Sequence, residues 1–254
     1  MNITLFVIGD EILSGKRQDK HLAKVIELLA ARGMALSAAE FLGDDQTQIA
    51  TAIARVVARG DLLLSCGGIG ATPDDCTRQA AALAFKRPLE RHPEGVALIE
   101  AQYGERAYPH RVIMAEFPQG AGLIPNPINR VAGFHVGDAH FVPGFPEMAW
   151  PMLEWVLDER YPQLRNAEPP VEYRLRAYDA AEGDLLTLME ETLAAHPGLK
   201  LSSLPFRARP DEPAHIEFGF KGVQAQAASA YLAFEQALAA RALRVVALDS
   251  PYSQ

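Results

Sequence analysis

"DLLLSCGGIGATPDDCTRQAAALAF" (61–85) is the stretch on which the fold reading turns. It opens with a short apolar run of the kind found in strands buried on both faces. From Pro73 onward it reads as a helix with a proline near its first turn. Between the two, Gly67, Gly68 and Gly70 let the backbone turn sharply and approach a ligand closely. A helix starting near Pro73 would offer free N–H groups and the positive end of its dipole to an anion. No lysine follows in the Walker position and no G-x-G-x-x-G is present, so neither nucleotide signature applies.

The same alternation extends outward. "ITLFVIG" (3–9) is a second buried-strand pattern, followed by a helix over 20–33 whose Leu22, Val25, Ile26, Leu28 and Leu29 recur at helical spacing. "MALSAAEFLG" (34–43) reads as a strand. The next helix is capped by Asp45, with Gln48 placed to complete a capping box. Repeated strand–helix units imply an α/β fold: helices on both faces of a mostly parallel sheet, a three-layer sandwich. Ligands of such sheets lie at the carboxyl ends of the strands. The loops "GDEILSG", "LGDD" and "CGGIGATPDD" all leave such ends.

Residues 88–107 look helical but interrupted by Pro93 and Gly95. Residues 120–148 read as short strands and loops, with "VGDAHF" a hairpin, and "MAWPMLEWVLDERY" as a helix bent or started by Pro151. "PQLRNAEPP" (162–170) is the expected linker between domains 1–163 and 170–254. The second is a small βαββαβ, ferredoxin-like α+β domain without a chemical cluster.

The net charge of -8 argues against duplex nucleic acid, whose phosphates need clustered Lys and Arg. Two cysteines, Cys66 and Cys76, make neither a zinc site nor a disulfide framework, which fits a reducing cytoplasm. No run has the length of a membrane span, and the N-terminus does not read as a signal peptide. His135 and His140 are expected to be surface or hydrogen-bonded residues rather than metal ligands. Cys76 has no nearby histidine base and is not read as a nucleophile.

The candidate chemistry lies in the three loops. Asp74 and Asp75 in a first helical turn would complement the helix dipole, or hold a divalent cation beside a phosphate. Gly9 turns the chain, Asp10 and Glu11 present acids, and Ser14 and Gly15 offer a hydroxyl and an approachable backbone. Asp45 being the cap, Asp44 is the ligand-facing member of its pair. "FVPGFPEM" (141–148) is a rigid loop in which Glu147 either faces the site or favours the helix start.

"VIGDEILSGKRQDKH", "GDDQTQI", "GGIGATPDDCT", "IPNP" and "VPGFPEM" occur in an order that resembles the N-terminal domain of the competence/damage-inducible CinA family, over roughly residues 3 to 160. That domain shares the molybdopterin-binding (MoaB/Mog-like) fold, and the small C-terminal unit is similar to the ferredoxin- or KH-like domain that follows it. The resemblance implies a metal-dependent pyrophosphatase for ADP-ribose or a related nucleotide diphosphate. In the cofactor-biosynthesis branch it implies molybdopterin binding. It assigns Asp10, Glu11, Asp44, Asp74 and Asp75 to a metal (Mg, Mn or Co), with Asp44 and Asp75 catalytic. It gives Gly67, Gly68, Gly70 and Thr77 to a phosphorylated nucleotide or pterin, and the reading of the loops themselves adds Gly9, Ser14, Gly15, Thr72, Pro143, Gly144 and Glu147. The metal would polarise a phosphoryl oxygen and activate water. A homo-oligomer, dimer or trimer, is also implied.

The chain departs from the family pattern at Cys66 for Thr, Ala71 for Pro, His21 for Asn, and Ile128-Asn129-Arg130 where Gly-Thr is usual. The amidohydrolase domain of full-length CinA has no counterpart in these 254 residues, and its activity is not expected here. The competing expectations are a module that binds molybdopterin or a nucleotide without turnover, and an oligomerisation scaffold.

Overall fold

The computed structural model describes residues 1–166 and 168–251. The chain divides into two units, Met1–Asn166 and Ala167–Gln254. In the first, β1 (Ile3–Ile8) is buried along its whole length, as its unbroken apolar run requires. One helical turn, α1 (Asp10–Leu13), leads to α2 (His21–Ala30), then β2 (Ala38–Leu42), α3 (Gln46–Ala58), β3 (Leu62–Cys66) and α4 (Thr77–Phe85). Asp45 caps α3, its carboxylate accepting from the Gln48 amide at 2.8 Å. There follow β4 (Leu89–Arg91), α5 (Pro93–Tyr103), β5 (Glu116–Pro118), β6 (Gly122–Ile124), β7 (Gly133–Val136), β8 (Ala139–Val142) and α6 (Pro146–Trp155).

Six strands form the main sheet in the order β2-β1-β3-β8-β7-β6. The β2–β1, β1–β3 and β3–β8 pairs are parallel; β7 runs against both neighbours, as the β7–β8 hairpin demands. Alternation along β1 splits its side chains between two cores. Phe6 and Ile8 pack with Ile49, Ile53 and Val56 of α3 and Ala80 and Ala81 of α4. Leu5 and Val7 pack with Val25 and Leu29 of α2 and Met152 and Leu153 of α6. Each fully buried Leu or Phe here contributes roughly 1.5–3 kcal/mol. The three-layer expectation holds: the carboxyl ends of β1, β2, β3 and β8 share one edge.

Several boundaries differ from the sequence reading. Helix α4 begins at Thr77, four residues past Pro73, because Asp75 folds back on Thr72 and closes a separate turn first. Residues 89–91 pair with β5 as strand, and Pro93 starts α5 rather than interrupting it. Pro146 likewise starts α6, and Pro151 lies inside it. Part of the expected linker belongs to the first unit: Pro162–Leu164 form a 3-10 turn, and the Asn166 amide donates to the Arg32 carbonyl at 3.1 Å. His140 is fully buried and satisfied. Its Nδ1 faces the Leu63 carbonyl and its Nε2 accepts from Arg160 at 3.1 Å.

The second unit is β9 (Val171–Tyr178), α7 (Leu186–Ala195), β10 (Lys200–Phe206), β11 (His215–Gly222), α8 (Gln224–Ala240) and β12 (Val245–Asp249). Its antiparallel sheet has the order β10-β11-β9-β12, the split βαββαβ arrangement expected. Phe218, Phe220, Tyr231 and Phe234 fill its own core.

Candidate functional site

A cleft of about 370 Å³ opens at the carboxyl edge of the main sheet. Its floor is the glycine turn after β3. Gly67 sits at φ +110, where a Cβ would strike the Ile8 carbonyl at 2.2 Å; only glycine fits between these two strand ends. Gly68 sits at φ +69, over the Thr77 side chain. The N–H groups of Gly68, Ile69, Gly70 and Ala71 have no protein acceptor among the described residues. Such a run of backbone donors is a concavity suited to an anion. The start of α4 is not itself part of it: the Thr77 amide donates to the Gly68 carbonyl at 2.9 Å, and its hydroxyl donates to the Gly67 carbonyl at 3.1 Å. Thr77, expected at the ligand, is therefore buried behind the turn and shapes it.

Arg78 braces the turn from below. It is 1% exposed, and its guanidinium donates to the carbonyls of Gly70 (2.7 Å) and Ile113. Burial lowers its pKa, while Glu116 and Asp75 oppose that shift. The charge it keeps lies beside the glycine turn.

The acids surround the floor. Asp10 and Asp44 hold each other's loops: the Asp10 amide donates to the Asp44 carboxylate at 2.9 Å, and the Asp44 amide to that of Asp10 at 3.1 Å. Burial pushes the Asp44 carboxyl above its ordinary value. The Asp10 amide counters, and the charges of Asp10, Glu11 and Asp74 add to the rise. Asp75 accepts from the Thr72 amide at 2.9 Å and from the Thr72 hydroxyl, so its carboxylate is engaged within its own turn. A Cβ on Gly70 would meet that carboxylate at 2.4 Å.

Glu11, Asp44, Asp74, Asp75, Thr72, Gly9, Gly67, Gly68, Gly70, Pro143 and Gly144 all line the cleft. Asp10 and Ser14 lie instead along a shallower depression shared with Glu11, Asp44 and Asp74. Gly15 is exposed at the turn after α1, and Glu147 faces an adjoining cleft of about 340 Å³. Among the described residues, no three His, Cys, Asp or Glu side chains converge as a metal cage.

Sequence reading missed four contributors. Arg17 supplies the cleft a cation, 3.7 Å from Glu11. Arg78 reads as an ordinary helix arginine. Asn126 and Asn129 organise the far wall: Asn126 donates to Asn129 (2.8 Å) and to the Val131 carbonyl (3.0 Å). The Asn126-Pro127 dipeptide was the available signal, because asparagine bonds local backbone in such turns. The altered 128–130 segment is thus a braced loop whose Asn129 lines the cleft. Cys76 is pushed up by burial and by nearby Asp44 and Asp45, which disfavours a thiolate.

Comparison with known proteins agrees with this architecture. A CinA-like protein of Syntrophotalea carbinolica is 32% identical over 190 residues, covering 72% of this chain and 46% of that protein. One from Citrifermentans bemidjiense is 33% identical over 199 residues, 75% of this chain and 47% of that protein. The chain therefore spans about half the length of these curated relatives. The crystal structure of CinA from Thermoplasma acidophilum matches with a TM-score of 0.58 at 27% identity, over 63% of this chain and 98% of that one. No helix among the described residues is long and apolar enough to cross a membrane. Residues 4–166 match the family model described as Probable molybdopterin binding domain, and the chain belongs to that family.

Proposed function

We propose that the cleft binds a small phosphorylated ligand, a molybdopterin-type pterin or a nucleotide, with its phosphate on the glycine turn. The observation that carries this is the run of acceptor-free amides from Gly68 to Ala71 on the floor of the cleft, underlain by the Arg78 guanidinium. Backbone donors fixed in place stabilise phosphate charge with little reorganisation.

Four carboxylates line the cleft against Arg17, so a phosphate needs a counter-cation to enter. Burial raises the Asp44 carboxyl most, and the charges of Asp10, Glu11 and Asp74 add to the rise. A divalent ion, Mg²⁺, Mn²⁺ or Co²⁺, would supply charge neutralisation between phosphate and protein. Glu11, Asp44 and Asp74 are the side chains available to hold it, and Asp10 keeps the Asp44 loop in place. Pyrophosphatase action on ADP-ribose or a similar diphosphate is the second reading, favoured by this concentration of acids around the anion floor.

Calorimetric titration of the full chain with inorganic pyrophosphate, with and without Mg²⁺, tests the proposal. Binding that strengthens with Mg²⁺ and weakens at least tenfold in Asp44→Asn is expected. No binding under either condition, by folded protein, would overturn it. ADP-ribose incubated with each metal separates the two readings: AMP release indicates turnover, whereas pterin fluorescence from denatured, oxidised protein without AMP release indicates a binding module.

A further inference from the structure

The two asparagines of the cleft wall form a network in which every atom can be assigned. The Ile128 amide donates to Asn126 Oδ1 at 3.0 Å, and the Val131 amide donates to Asn129 Oδ1 at 3.0 Å. A backbone N–H only donates, so each contacted atom is the side-chain oxygen and the other end of each amide is its NH₂. Asn126 Nδ2 then uses both hydrogens, one on Asn129 Oδ1 at 2.8 Å and one on the Val131 carbonyl at 3.0 Å. Asn126 is complete. Asn129 is not: its oxygen accepts twice, while its Nδ2 has no protein acceptor among the described residues. Asn129 is half-buried and lines the cleft, and its Nδ2 is not sealed inside the wall.

This amide is held in one orientation. Turned over, it would set its NH₂ against the Val131 N–H and the Asn126 NH₂, two contacts between donors. The Arg130 amide closes the turn beneath it, donating to the Asn126 carbonyl at 3.1 Å. The other side-chain donors lining the cleft are engaged. The Thr72 hydroxyl donates to Asp75, Asn126 is complete, and Arg17 stands 3.7 Å from Glu11. The ionised carboxylates of Glu11, Asp44, Asp74 and Asp75 only accept. Among the described residues lining the cleft, Asn129 Nδ2 is therefore the fixed, uncharged side-chain donor left unengaged. A donor fixed beforehand binds an acceptor with little reorganisation.

We infer that Asn129 is a specificity-determining residue that binds an oxygen of the ligand through its Nδ2 hydrogens. The inference rests on the phosphate reading above. With a phosphate on the glycine turn, Asn129 receives a further oxygen, either of the phosphate group itself or of a hydroxyl beside it. A ligand presenting an N–H at that place would meet a second donor and be turned away. The segment where this chain departs from the pattern of its family thus contributes a contact of its own, made by a side chain that glycine could not supply.

Two probes, each with Mg²⁺, separate the sources of that oxygen: inorganic pyrophosphate, whose oxygens all belong to phosphate, and glycerol 3-phosphate, which adds hydroxyls. Asn129→Ser keeps an oxygen for the Val131 amide and lacks the NH₂. Asn129→Asp keeps the shape and turns the donor into an acceptor. Ile128→Ala, at an exposed position of the same loop that does not line the cleft, controls for disturbance of the loop. Calorimetry on the full chain should show binding weakened about tenfold or more in Asn129→Ser, the worth of one hydrogen bond to a charged group. Asn129→Asp should bind more weakly still, and Ile128→Ala should bind as the unaltered chain does. A loss with pyrophosphate assigns the oxygen to phosphate, and a loss confined to glycerol 3-phosphate assigns it to a hydroxyl; both support the inference. Unchanged affinity of Asn129→Ser for both probes would overturn it and leave the phosphate reading intact. An equal loss in Ile128→Ala would also overturn it, since the effect would then belong to the shape of the loop. An unaltered chain that binds neither probe would remove the phosphate reading and this inference with it.

Discussion

Gly68→Ala tests the architecture of the cleft floor at one atom. A Cβ there would stand 2.2 Å from Thr77 Oγ1 and 3.2 Å from Thr77 Cβ, on backbone at φ +69. Left-handed backbone costs an L-residue about 1–2 kcal/mol. Crowding a packed site adds about 1–3 kcal/mol. Gly68→Ala should therefore destabilise by about 2–5 kcal/mol. Thr77→Ala alone forfeits the hydroxyl bond to Gly67 and a buried methyl, about 2 kcal/mol. In the double variant the clashing oxygen is gone. Only the backbone strain and a tighter Cβ–Cβ contact persist, so the loss should fall short of the sum by about 1–2 kcal/mol. Urea unfolding followed by tryptophan fluorescence measures this cleanly. The two tryptophans, Trp150 and Trp155, both lie on α6, so the signal reports the first unit. Additivity within about 0.3–0.5 kcal/mol would mean that the Thr77 hydroxyl does not underlie Gly68.

Arg78→Met should cost about 1–3 kcal/mol, the unpaired carbonyls of Gly70 and Ile113 being partly offset by relief of guanidinium burial; an unchanged urea midpoint would refute the brace. It should also weaken pyrophosphate binding, since the charge under the floor goes. His140 is depressed by burial to about 3, so below pH 6.5 the unfolded chain takes a proton the folded one refuses. Stability should fall from pH 6.5 toward pH 3 by up to about 1.4 kcal/mol per pH unit from this group, and His140→Gln should flatten that slope in urea titrations; equal slopes would count against it. Asp44 moves the other way. Its raised carboxyl makes ionisation unfavourable in the fold, so Asp44→Asn, which keeps an oxygen for the Asp10 amide, should leave the ligand-free protein as stable or more stable at pH 7. A marked loss of thermal stability would show the carboxylate charge to be structural.

The central strands were legible because short apolar runs bounded by glycine, as in Ile3–Ile8, are too brief for a buried helix. The small domain was legible for a different reason: strand patterns such as Val171–Tyr178 alternate between buried and open positions, and the order of its elements is that of a split βαββαβ unit. Prolines misled. Pro93 and Pro146 start helices, a role that depends on the φ of the preceding residue rather than on local composition. Asp75 misled as well, since its carboxylate closes a turn on Thr72 and delays α4 to Thr77. At the site, the three acidic loops could be read because each leaves a strand end. Arg78 could not. Its partner carbonyl, that of Ile113, is 35 residues away, and nothing local distinguishes a buried arginine from a solvated one.

The close approach of three strand ends has a consequence for how such a domain can change its ligand. Gly67 lies so near the Ile8 carbonyl that it tolerates no side chain, and a Cβ on Gly144 would come within 3.3 Å of Gly67 Cα. Where Gly67, Gly68 and Gly144 meet, the floor is consequently bare main chain. On the reading proposed above, it would fasten a phosphate without telling one phosphorylated compound from another. Choice would then fall to the periphery: the asparagine-braced loop and the acids. These can be exchanged without disturbing the part that grips.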